Sequence, residues 1–179
     1  MKFIFAALLL VSVAFAQEGD GKPKIPKQNV KGVNETSPVT QAEASAVFIR
    51  ARNVINVARI AKISSKTQLG SSNQLITRDM VILEMSKLLK ESEPAIKLVP
   101  RPVSFNANLL KTGSPASKTA LLKLVKWGFV APVGPLATGP TANMTPREFG
   151  DAVGFFLARL TDVTHMPSIK WSPYLQSDH

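Results

Sequence analysis

The sequence predicts an all-α or mainly α fold, a small domain of capped helix-loop-helix repeats with short strands at most. Three observations carry that prediction. Four segments place apolar residues at i, i+3 and i+4 over helical lengths. Each opens on a residue that caps a helix N-terminus. Three of them share one opening device, an apolar residue, a Thr and then polar or charged residues within the first turn: Val39-Thr40-Gln41-Ala42-Glu43, Ile76-Thr77-Arg78-Asp79 and Met144-Thr145-Pro146-Arg147-Glu148.

In chain order, residues 1–16 read as a secretory signal. Lys2 supplies the positive end, Phe3 to Val13 the apolar run and Ala14-Phe15-Ala16 the small-x-small cleavage pattern. The run is too short to span a bilayer. Residues 17–38 carry Gly19, Gly21, Pro23, Pro26, Gly32 and Pro38 among Lys, Gln and Asn, which predicts a disordered linker. The helical domain is expected over 39–162, and 163–179 is a tail holding Trp171 and Tyr174.

Within the domain, Thr40 and Glu43 form a capping box for a helix from about Gln41 to Ile60, with Val47, Phe48, Ala51, Val54, Ile55 and Ala58 on one face. Arg52, Asn56 and Arg59 line up opposite, as a row for a polyanion or an ordinary solvated face. Lys62 to Leu75 reads as a loop. Thr77 caps the next helix, whose buried face is Val81, Ile82, Met85, Leu88 and Leu89; Glu84, Glu91 and Glu93 read as surface charges. Pro94, Pro100 and Pro102 make Ser92 to Thr112 an extended crossing, with a short strand at Val103 to Phe105. Ser114 as N-cap, Pro115 at the first position and Gly128 past the end bracket a helix over Ala116 to Trp127. An irregular connection over Val130 to Ala142 leads to the last helix. There the Thr145 and Glu148 box precedes Phe149, Ala152, Val153, Phe156, Leu157 and Leu160 on one face.

The chain is 179 residues long, 45% hydrophobic, and carries a formal net charge of +10 without any cysteine. Disulfides, thiol chemistry and zinc-thiolate sites are therefore excluded, and an exported chain of this kind relies on its apolar core, which suits bacterial export. The charge favours anionic partners such as wall polymers. The only imidazoles are His165 and His179, and no nucleophile-elbow, metalloprotease, phosphate-loop or dinucleotide motif is present, so a non-catalytic protein without cofactor or metal is expected. Basic residues are not interleaved with aromatics, which argues against nucleic acid as partner.

The repeated device, together with Leu121 to Val130 (an apolar helix ending at Gly128), a loop and the capped helix from Met144 to Leu160, resembles the S-layer homology domain. Its signature is an apolar helix ending near Gly, a loop and a Thr-Arg-Ala-Glu helix start. A looser match pairs the helix near Phe48 with the one starting at Thr77, so the resemblance covers Thr40 to Leu160. Thr77 and Arg78 match Thr and Arg, with Met80 in place of Glu. Thr145 and Glu148 match the ends of the motif, with Pro146 in place of Arg and Arg147 displaced by one; Thr40 and Glu43 match likewise, with Gln41 for Arg. The resemblance implies an exported envelope module that holds an anionic cell-wall polymer near these segments. It assigns Arg78 and Arg147 as exposed contacts beside Thr77 and Thr145; Arg52 and Arg59 are the further candidates. The alternative is an exported structural or protein-interaction domain that binds no carbohydrate.

Overall fold

The structure is a computed structural model that describes residues 37–57, 61–97, 104–139 and 143–164. The expected signal, most of the linker, Arg59 and nearly all of the tail lie outside the described residues, as does part of the strand expected at 103–105.

The chain is mainly helical: α1 (Gln41–Val57), α2 (Arg78–Ser92), α3 (Pro115–Lys126), the short α4 (Pro135–Thr138) and α5 (Pro146–Val163), with 3-10 turns at Glu93–Ala95 and Ala107–Leu109. The described residues contain no strand ladder. Two isolated antiparallel bridges, Thr40 with Leu75 and Thr77 with Asn143, are their only β pairings.

Local signals set the helix ends. Thr145 Oγ1 accepts the Glu148 amide at 3.3 Å while a Glu148 carboxylate oxygen accepts the Thr145 amide at 2.9 Å, a complete capping box. Thr40 and Glu43 repeat it. Thr77 caps α2 by accepting the Met80 amide, and Met80 has no carboxylate to return the bond. At the end of α3, Gly128 has φ 72°. Its amide reaches the Val125 carbonyl and the Phe129 amide the Leu124 carbonyl, closing the helix in a Schellman motif that sends Phe129 into the core.

The four long helices run in one sense. Near their starts, the Ile76 amide donates to the Val39 carbonyl and the Val39 amide to the Met144 carbonyl, both at 2.8 Å, and the Thr77–Asn143 bridge closes the circuit. Asp79 at the start of α2 accepts the amide of Gly113, just before α3. Toward their ends, Arg52 of α1 meets Glu84 and Glu91 of α2, Glu93 meets Lys123 of α3, Arg159 of α5 donates to the Trp127 carbonyl, and the Lys97 amide donates to the Val163 carbonyl. Parallel neighbours require a return connection as long as the helix itself. A helix of this size, about 25 Å, needs at least about 8 extended residues to retrace, which is why three long irregular connections separate the helices.

The apolar residues that precede the three capping threonines, Val39, Ile76 and Met144, are buried together, so the three helix starts form a collar closed by backbone hydrogen bonds. The core continues beneath it through Phe48, Ile55, Ile82, Met85, Leu88, Leu121, Leu124, Phe129 and Phe156. Phe48 meets Phe149 edge to face with centroids 6.0 Å apart, and Phe129 lies 5.2 Å from Phe156.

Candidate functional site

The collar brings three of the sequence-predicted site segments together, and it uses their side chains unequally. Thr77 and Thr145 are spent on capping. Arg78, expected as an exposed contact, is half-buried instead. Its Nη1 donates to the carbonyls of Pro135 (3.1 Å) and Gly139 (2.6 Å), its Nη2 donates to that of Lys111 (3.3 Å), and its Nε is buried without a partner. The guanidinium thus pins both later return connections to the start of α2. Gly139 is required there, because a Cβ on it would lie 2.3 Å from the Pro135 carbonyl oxygen and 3.0 Å from Arg78 Nη1. Arg147, in the first turn of α5, is exposed.

Arg52 is a second correction. The residues opposite the apolar face of α1 were expected to form a solvated or polyanion-binding row, yet Arg52 is fully buried. Its Nε and Nη2 donate to Glu84 Oε1 at 3.1 and 2.7 Å, and its Nη1 donates to Glu91 Oε2 at 2.5 Å and to the Ser64 carbonyl at 3.1 Å. Glu84, read as a surface charge, is buried as well, and its other oxygen accepts the Gln68 amide at 3.0 Å. Asn56 exchanges two hydrogen bonds with the backbone of Ile63. Arg52 and Asn56 are therefore covered by α2 and the first return connection, while Glu43, Ala46, Ile49, Asn53 and Val57 form the exposed face of α1, and a polymer has no access to Arg52. A buried charge demands a partner, and one signal for it was in the sequence: Glu84 lies three residues from Val81 and four from Leu88, on the apolar face of α2. Glu91 and Glu93 are likewise paired, with Arg52 and Lys123.

The backbone donors at the start of α1 are also taken. The Gln41 and Ala42 amides donate to the carbonyls of Gln74 and Ser72, and the Glu43 amide to Thr40 Oγ1. A helix N-terminus attracts anions through its unpaired amides, so this one offers nothing to a ligand. Charge at the collar is nearly balanced: Arg78, Lys111, Lys118 and Arg147 stand against Glu43, Asp79 and Glu148. Among the described residues no group of three or more His, Asp or Glu is placed to hold a metal ion, and no helix is long and apolar enough to cross a membrane. No family model, curated protein or solved structure matches this chain.

Proposed function

We propose that the chain is an exported, non-catalytic cell-envelope module, similar to S-layer homology domains, that holds its protein at the wall through an anionic polymer. The observation that supports this reading is the collar. Three segments that repeat in the sequence join through their backbones into one body, as units of a repeat-built domain do. Arg147 is the collar arginine that faces solvent, and it is the residue of that end through which a polymer is contacted.

Sedimentation with purified bacterial walls, carrying the anionic polymer or stripped of it, tests the proposal. Binding at low salt to the intact walls and not to the stripped ones is the expected result; protein left in the supernatant in both cases refutes it. The second reading, a structural or protein-interaction domain without carbohydrate binding, is favoured by one observation: Arg52 and Arg78 are committed to hydrogen bonds inside the fold.

A further inference from the structure

We infer that the main polymer-binding surface lies at the end of the helices opposite the collar, where Lys90, Lys97 and Lys126 stand exposed. This rests on the polymer-binding reading above and moves its contact surface to the far end of the domain.

A closed circuit of contacts assembles that end. Glu93, one turn beyond Lys90, pairs with Lys123; Lys126 follows Lys123 on α3 and lies over the Trp127 ring; the Trp127 carbonyl accepts Arg159 Nε; Val163, one turn past Arg159, accepts the Lys97 amide; and the Ile96 amide returns to the Glu93 carbonyl. Three stretches far apart in sequence thus deliver their cations to one surface. Among the described residues Lys87, Lys90, Lys97, Lys123, Lys126 and Arg159 face three carboxylates, Glu91, Glu93 and Asp162, whereas at the collar four cations face three carboxylates. Most of the excess positive charge that draws in a polyanion is therefore at this end. Lysines in the last turns of α2 and α3 also complement the negative ends of those helices. That role does not account for Lys97, which belongs to no helix and extends the positive surface between α2 and α5.

The chemistry of the surface selects a hydrated linear polymer bearing phosphate or carboxylate groups. Of the exposed large apolar residues among the described ones, Val57 at the end of α1 is on this side of the domain and none lies on the circuit itself, so the described surface offers a bilayer one small β-branched side chain and no aromatic or leucine wedge. Its aromatic residue, Trp127, is half-buried with Lys126 over one face of the ring, so that face is not open for a base to stack on.

The test compares two double variants that remove the same charge from opposite ends, Lys90→Gln/Lys97→Gln and Lys111→Gln/Lys118→Gln, by binding isotherms on purified walls that retain their polymer. At low salt the first should bind about tenfold more weakly than the parent chain and show a shallower salt dependence. The second should stay within about threefold of it. Equal losses in the two variants, or a larger loss in the second, overturn the inference while leaving polymer binding intact. Failure of the parent chain to bind overturns both. Tighter binding to phosphatidylglycerol-containing vesicles or to duplex DNA than to walls overturns the choice of polymer. Should the first variant melt early, Lys97→Gln alone, on the non-helical connection, serves in its place with an expected loss of about threefold.

Discussion

Removing the Arg78 side chain leaves the carbonyls of Lys111, Pro135 and Gly139 without their shared donor and releases two connections from α2. Hydrogen bonds from a charged donor are among the stronger ones, so Arg78→Ala should lower stability by about 2 kcal/mol. Arg78→Lys should recover little of that loss, because an ammonium lacks the guanidinium fork. Arg147→Ala, on an exposed side chain, should stay within about 0.5 kcal/mol. Urea unfolding curves of the three variants check this, and equal losses at the two arginines would contradict it. The buried cluster gives a second contrast. Glu84→Ala strands the guanidinium of Arg52 in the interior and should cost about 3 kcal/mol or more. Lys123→Ala, which breaks the more exposed pair with Glu93, should cost less than about 1 kcal/mol. Thermal melts of both variants decide it. The role of Arg52 was hidden in the sequence because its carboxylate partners lie 32 and 39 residues away and a loop folds over what looks like a solvent face.

At the scale of single elements the sequence was most legible, since caps, prolines and glycines act within one turn. Ser114, Pro115 and Gly128 bracket α3, and the boxes at Thr40 and Thr145 start α1 and α5, where the pattern places them. The exception is α4, which reads as part of an irregular connection. Its cues are Gly134, Pro135 and Gly139 around four residues, too few to show a helical period, and its fold comes from tertiary contacts: Leu136 and Ala137 are buried and the Ala137 carbonyl accepts the Lys111 amide. The caps themselves differ in a testable way. Thr145→Ala removes two bonds of the hydroxyl, the one accepted from the Glu148 amide and the one donated to the Glu148 carboxylate, and should cost about 1 kcal/mol, while the Thr145 backbone amide keeps its bond to Glu148. Thr77→Ala removes a single bond, because Met80 returns none, and should cost measurably less. A larger loss at Thr77 in denaturant titrations would show that the bond from the Thr145 hydroxyl to the Glu148 carboxylate adds nothing.

At the scale of the molecule, periodicity says which face of each helix is buried and is silent on which helices are neighbours and in what sense they run. The long connections, each of roughly 20 residues, are the sequence trace of the parallel arrangement, visible only once the returns are seen to span the length of the domain. Aligned helices gather like dipole ends. The first-turn acids Glu43, Asp79 and Glu148 at one end and the last-turn bases Lys90, Lys123 and Lys126 at the other offset that cost. The collar gives this arrangement its unity, since it joins three helix starts that are distant in sequence, and the proposed function depends on those repeats acting as one body. Native-state amide hydrogen exchange at Val39 and Ile76, whose amides donate to Met144 and Val39 across the collar, tests that most directly. Both amides should exchange only by global unfolding, with the same free energy as the helix-interior amides of Leu88 and Phe156. Exchange as fast as that of the exposed connection around Ser65, while the helices stay protected, would mean that the three starts open independently and that the repeats do not form a single unit.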